Sequence, residues 1–364
     1  MKNSFGDSVS VTLFGESHGK AIGAVIDGIA PGISIDEEYI KNKLSLRRPS
    51  GSISTTRVEL DEFQILSGVF NGKTTGTPIS IVIENKNTIS KDYSSLIGVA
   101  RPSHADYAAN CKYHGFEDYR GGGHFSGRIT AALVAAGAIF QKALEDKGIY
   151  IATHIKECGG VFDDDFNFSI EEINNLNNKN FAVINQNKKD KMTAKIEQAA
   201  KLGDSLGGIL ETQILGVPSG VGEPWFDSVE SKLSHILFSV PAVKGVEFGL
   251  GFGFANKYGS EVNDSFYINN GNIKTKTNNN GGINGGITNG MPITFKSVIK
   301  PTPSIKLSQN TVNFNDKKET ELVINGRHDP AIIHRARVVV DSVSAICIAD
   351  LLTTRFGTDY LRKD

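Results

Sequence analysis

The stretch "GGGHFSGRITAALVAAGAIFQKALEDKG", Gly121 to Gly148, carries two signals. From Arg128 onward it is alanine-rich, free of proline and closed by Gly148, which predicts a long helix. Apolar residues fill nearly all of that helix's first half, so it is expected to be buried on most sides rather than along one stripe. The residues before it imitate a nucleotide loop. Gly122 and Gly127 bracket four residues as in G-x-x-x-x-G-K-[ST], yet Arg128 replaces the lysine and Ile129 replaces the hydroxyl that would hold magnesium. Two readings follow: a P-loop nucleoside-triphosphate enzyme, which those two residues oppose, or an anion or cofactor cradle of another kind. Backbone N–H groups at a helix start, with an arginine in its first turn, suit the second.

The chain has 364 residues, 39% hydrophobic, with a formal net charge of −1. No global basic field attracts nucleic acid or anionic lipid, so neither is expected as a partner and any anion must be recognised locally. Cys111, Cys158 and Cys347 are widely spaced without a C-x-x-C pair. Neither a disulfide framework nor a metal site is expected, and the cytoplasm is the expected compartment. No apolar run approaches roughly 18 residues, and no secretory leader is recognisable. The 39 glycines gather in clusters such as "GLGFG" and "NNNGGINGGITNG". No linker or break in composition divides the chain, so a single α+β domain over residues 1–364 is expected.

Short β-rich runs, "VSVTLF", "AIGAVID" and "PISIVIE", dominate the beginning. Between them "SIDEEYIKNKLSLRR" reads as a helix capped by Ser34 or Asp36 and stopped by Pro49. Further helices are expected over "KMTAKIEQAAKLG" (191–203), "ESKLSHILFSV" (230–240) and "RVVVDSVSAICIADLLTTRFG" (337–357), and strands over "GILETQILGV" and "MPITFKSVI". "NNLNNKN" (174–180) is expected to be a solvated surface loop. "TKTNNNGGINGG" (275–286), loaded with glycine ahead of a strand, suits an ordered ligand-binding loop or lid.

Four segments place polar residues in turns. Glu16, Ser17 and His18 lie between Gly15 and Gly19 directly after a strand, a frame that suits acid–base chemistry. Arg101, His104 and Asp106 combine a fixed cation with a titratable proton donor, as a phosphate that is held and then released requires. Arg120 and Arg128 flank the opening glycines. Arg327, His328 and Asp329 precede Pro330 and a long apolar stretch, where Asp329 could alternatively serve the helix dipole alone. With "KPTPSI" (300–305), arginine plus histidine in turns points to a phosphorylated small substrate or a phosphate-bearing cofactor.

As a set, these segments resemble the chorismate synthase family. "GESHGKAIGAVIDG", "GGGHFSGRITAALVAAGAI" and "GRHDPAIIHRARVVVDSVSAICIADLL" look like its three signatures. "RRPS", "ILSGVFNGKTTGTPI", "RPSHADY", "VKGVEFGLGFGFA" and "KPTPSI" fall between them in family order. The likeness covers roughly residues 8 to 355. It implies a β-α-β sandwich, with helices packed between antiparallel sheets, and a homotetramer. It also implies conversion of 5-enolpyruvylshikimate-3-phosphate to chorismate and phosphate by an anti 1,4-elimination dependent on reduced FMN. NADPH enters only as an indirect or external reductant. A catalytically inert flavin-binding module is the rival, opposed by the retained His18, His104 and Asp329.

By resemblance, His18 would donate a proton to the reduced flavin, His104 would protonate the leaving phosphate, and Asp329 would act near flavin N5. Arg47, Arg48, Arg101 and Arg128 would hold substrate. Flavin contacts would fall on His124, Phe125, Ser126, Pro241, Ala242, Gly285, Lys300, Pro301, Thr302, Pro303, Ser304 and Arg327. The chain departs from the family at several points. The second signature commonly reads R-S-S-A-R-E-T, against His124 to Thr130 here. Ile53 stands where many members carry a second anion-binding arginine, for which Arg57 is a candidate replacement. Pro241 replaces an asparagine and removes a donor.

Overall fold

In the computed structural model, which describes residues 2–49, 51, 53–54, 60–86, 97–324 and 329–363, two five-stranded antiparallel sheets flank a layer of helices. The first sheet runs Ser4–Phe5, Ser10–Gly15, Ala21–Asp27, Ile79–Glu84, Phe63–Ile65. The second runs Val243–Phe248, Ile293–Ile299, Gly208–Leu215, Tyr150–Cys158, Val161–Phe162. Alternation decides which face each strand buries. Ile22, Ala24 and Ile26 pair with strand 79–84, whose Ile79, Ile81 and Ile83 are also fully buried.

The alanine-rich helix, Thr130–Asp146, lies against the first sheet, and the long C-terminal helix, Ile333–Phe356, lies against the second. The two helices pack on each other, so both are surrounded. This is why neither shows a single apolar stripe. Gly137 marks their crossing: a Cβ there would lie 2.4 Å from the Ser342 Cβ. Only a residue without a side chain permits that approach.

The first predicted helix is observed over Glu37–Arg47, capped by Asp36, whose carboxylate accepts from the Tyr39 N–H. Gly148, at φ 77°, follows the alanine-rich helix, and Gly357, at φ 95°, follows the long one. Both helices differ from expectation at their starts. Gly127–Ile129 forms a 3₁₀ turn before the α-helix begins at Thr130, and the long helix begins at Ile333 rather than Arg337. The helix expected from Lys191 starts at Gln186, because Asn185 accepts from the Asn187 N–H and caps it.

"NNLNNKN" is a correction. Its first half ends the helix Ile170–Asn177, capped by Ser169. Leu176 is buried, and the Asn177 side chain donates to the Ile151 carbonyl at 2.9 Å. Asparagine richness concealed an apolar pair, Ile173 and Leu176, three residues apart. In the glycine-rich 275–286 segment, Asp264 organises the chain. Its carboxylate accepts from the backbone N–H groups of Asn279 and Asn280, both at 2.8 Å.

Candidate active site

The glycines of the opening motif fit between two histidines. Gly121, Gly122 and Gly123 have φ values of 58°, 82° and 53°, a left-handed run that side chains resist. A Cβ on Gly121 would lie 2.3 Å from His18 Cε1, and one on Gly122 would lie 3.2 Å from His104 Cε1. The Gly15–Gly19 turn is stitched to this run. The Ser17 N–H donates to the Gly123 carbonyl at 3.1 Å, and His124 Nδ1 donates to the Gly15 carbonyl at 2.8 Å. Ser17 Oγ stands 3.0 Å from His18 Nδ1. So the glycines serve neither a P-loop nor a loose turn; they let two imidazoles approach one backbone.

His104 is held from behind. Asp106 Oδ1 accepts from His104 Nδ1 at 2.8 Å and from Arg101 Nη2 at 2.7 Å, while Asp106 Oδ2 takes Arg101 Nε at 2.8 Å. The carboxylate puts the Nδ1 proton on its own side of the ring, leaving Nε2 as the exchanging nitrogen. Burial alone would raise the Asp106 carboxyl, but hydrogen bonds from Arg101 and His104 outweigh it and hold it well below the carboxylate range. Arg101 reaches the histidine both through Asp106 and directly, with Nη2 3.0 Å from His104 Nδ1. Asp106 opens the helix Asp106–Tyr113, which the sequence reading left as a turn.

A second carboxylate gathers the other arginines. Asp61, whose side chain is fully buried, accepts from Arg47 Nη2 at 2.7 Å and from Arg128 Nη1. Arg128 Nε also lies 3.2 Å from Asn85 Oδ1. Arg48 Nη2 donates to the Leu60 carbonyl. Asp329 accepts from Arg335 Nη2, and no side chain caps the long helix, so Asp329 is not that helix's cap. Asp61 and Arg335 were missed in the sequence. "RVELDEFQ" and "HRARVV" look like ordinary charged surface, and only contacts across the chain reveal their partners.

A cavity of 730 Å³ opens beside these groups. Its wall includes His104, His124, Phe125, Ser126, Pro241 and Ala242, and also Lys300, Thr302, Pro303, Asp329 and Arg335. Leu133, Val240 and Ile346 add apolar surface. Ala242 has φ 75° in a turn where the Val243 N–H bonds the Val240 carbonyl at 3.2 Å. Pro241 pre-sets this type II pattern, in which glycine is usual where Ala242 stands. The Ala242 carbonyl accepts from the Lys300 N–H at 2.9 Å, and Lys300 Nζ donates to the Ser103 carbonyl. Burial, with Lys244 nearby, lowers the Lys300 ammonium from its ordinary value. Thr302 Oγ1 donates to the Asp329 carbonyl at 2.8 Å.

Other expected residues lie elsewhere. Arg101 lines a smaller, 250 Å³ compartment that shares His104 and Phe125 with the main cavity. His18, Arg47, Arg48, Arg128, Pro301 and Ser304 stand behind or beside the main cavity rather than on its wall. Gly285 is at the tip of a hairpin formed by Ile283–Asn284 and Ile287–Thr288, also off that wall. Arg327, His328 and the candidate replacement Arg57 lie outside the described residues. Ile53 is buried in the core and lines a separate 490 Å³ pocket with Phe181.

Among the described residues no helix is long and apolar enough to cross a membrane. The family model for chorismate synthase matches residues 9–353. A chorismate synthase of Pyrococcus abyssi is 48% identical over 350 residues, covering 96% of this chain and 97% of the relative. One from Thermococcus kodakarensis is 45% identical over 350 residues, with the same coverage of 96% and 97%. A chorismate synthase crystal structure superposes with a TM-score of 0.77 at 30% identity, over 98% of this chain and 94% of that one. Sequence and architecture agree: this chain belongs to the chorismate synthase family and is an enzyme of the lyase class.

Proposed function

We propose that this chain converts 5-enolpyruvylshikimate-3-phosphate to chorismate and phosphate with reduced FMN bound in the 730 Å³ cavity. The observation that carries the reading is the cavity wall itself, where His104 and Asp329 stand among apolar and cationic groups. A volume within the usual range of small-molecule sites suits a planar cofactor plus a small substrate. Fit to FMN rests on chemistry. Phe125, Pro241 and Ala242 offer an apolar surface for a ring system, and His124, Ser126 and Lys300 offer donors to its polar and anionic parts. Gly285, Pro301, Thr302, Pro303, Ser304 and Arg327 remain proposed cofactor contacts by resemblance.

Bound there, reduced flavin would supply the electron density that helps expel phosphate from a substrate whose departing hydrogen is not acidic. The chain's own residues do the rest. His104 holds a proton at Nε2 for the leaving phosphate, with Asp106 stabilising the imidazolium and Arg101 fixing Asp106. Arg47 and Arg128, pinned by Asp61 beside Arg48, lie off the cavity wall and remain proposed substrate contacts by resemblance. By resemblance, His18, buried against Gly121, is the proposed proton donor to the reduced cofactor. Asp329 offers a carboxylate at the cavity wall. Excluding water from such a site protects a reduced cofactor.

We further infer an external source of reduced flavin, with NADPH acting indirectly, a homotetramer, and a cytoplasmic setting for aromatic amino acid biosynthesis. Anaerobic turnover with dithionite-reduced FMN tests the central reading. Chorismate and phosphate should appear together and be absent with oxidised FMN. Binding of FMN and substrate without product would favour the inert flavin-binding module.

A further inference from the structure

Arg335 is placed against local preference. It lies in the first turn of a 24-residue helix that carries no acidic residue in that turn. A cation there opposes the helix dipole. It is also mostly buried, and burial pulls the guanidinium down from its ordinary value while Asp329 holds it up. A buried cation in an unfavourable field persists only when a nearby anion compensates it. Asp329 is that anion, and both line the cavity. The Asp329 main chain is pinned separately. Its carbonyl accepts from Thr302 Oγ1 at 2.8 Å, and the next carbonyl, of Pro330, accepts from the Leu206 N–H at 2.7 Å. The backbone is thus fixed by one set of bonds and the carboxylate by another.

We propose that Arg335 is a positioning residue whose guanidinium holds the Asp329 carboxylate in its working orientation at the cavity wall. The anchor is rigid for two reasons. Arg335 sits on the helix that fills the core, and its neighbour His334 is tied through Nε2 to Ser54 Oγ at 2.8 Å and lies parallel to the Phe181 ring. Arg47 and Asp61 act on Arg335 in opposite senses, so the pair largely offsets itself and Asp329 is the anion that holds the guanidinium through a direct hydrogen bond. Arg335 therefore acts through Asp329 rather than on substrate.

The inference rests on the function proposed above, so its test has a kinetic and a structural arm. In Arg335→Met, kcat should fall on the order of 10²-fold, as for a misplaced catalytic group, with KM for 5-enolpyruvylshikimate-3-phosphate nearly unchanged. Arg335→Lys should recover part of that loss. The double variant Asp329→Asn/Arg335→Met should be no worse than the poorer single variant, within about threefold. Additive losses, or a raised KM with kcat retained, overturn the proposal. A crystal structure of Arg335→Met gives the second arm: the Asp329 carboxylate should leave the wall while the helix stays in place. A carboxylate found unmoved overturns the proposal even if the unmodified chain shows no turnover, an outcome that by itself sinks only the proposed reaction. If Arg335→Met does not fold, Arg335→Gln carries both arms.

Discussion

Among the described residues, His154 and His104 are both paired with carboxylates, and they are built for opposite ends. His154, on the second sheet, is fully buried, with Nδ1 2.9 Å from Asp163 Oδ2 and Nε2 2.9 Å from Glu211 Oε2. Phe166 closes over it edge-on with ring centroids 4.5 Å apart. With a carboxylate facing each nitrogen, the imidazolium is favoured and the ring is part of the scaffold. His104 gives one nitrogen to Asp106 and lines the cavity. One tied nitrogen makes an oriented proton carrier; two tied nitrogens make a strut. The same residue pair thus lines a cavity or braces the core according to where the second nitrogen points.

The largest effect should come from breaking the working histidine. His104→Ala should lower turnover by about 10²–10⁴-fold with little change in the melting midpoint, as expected for a lost general acid. Anaerobic kinetics alongside thermal unfolding would check it, and a matching collapse in stability would make His104 another strut. His154→Ala should do the reverse. Leaving two carboxylates around an empty buried space should destabilise the fold by about 3–5 kcal/mol while turnover per folded molecule holds. Denaturant titration gives the first number and active-site counting the second.

Gly121→Ala sharpens the comparison with His18. The added methyl would meet the His18 ring at a φ of 58°, so a loss of about 1–2 kcal/mol in stability and a measurable fall in turnover are expected. Unchanged kinetics would separate His18 from the reaction.

The smallest effect is the pH gradient. Burial alone would lower the His154 imidazolium, but Asp163 and Glu211 outweigh it and raise it. Its contribution is present below about pH 6.5 and is lost as pH rises through the raised folded value. Asp163 and Glu211 are held below the carboxylate range despite burial, so theirs is present above about pH 4.5 and lost on acidification. His334 runs the other way: burial lowers it to about 3, so it stays neutral in the fold and stability falls as pH drops below about 6.5. Each group changes stability by at most about 1.4 kcal/mol per pH unit. Melting midpoints across pH 4–9, repeated for His154→Gln, should lose the high-pH decline and show a weaker acid decline, because His154 also helps hold Asp163 and Glu211 down.

Part of the cavity lining was legible because it sits in short turns. His104 and Asp329, which line the cavity, stand beside prolines in such turns, and His18 stands between glycines in the turn stitched to the glycine run. The helices were legible where composition and caps agreed, as at Asp36 and Gly148. Their starts were less so, because Asn185 competes with the apolar pattern as a cap. Asp61 and Arg335 were illegible, since each gains its meaning from a partner reached through folding. Arg101 stands out in the sequence as a cation beside His104, and folding adds its bidentate bond to Asp106, which nothing local announces.

By itself, then, the amino-acid order determined the periodicities, the breakers and the turn residues, and with them five of the strands and the buried alanine-rich helix. Those are short-range properties, set by side-chain spacing and backbone sterics within a few residues. Only the tertiary structure decided which charges meet. Burial strips water from Asp61, Asp106 and Asp329 and makes each choose an arginine, and nothing local in the chain specifies that choice.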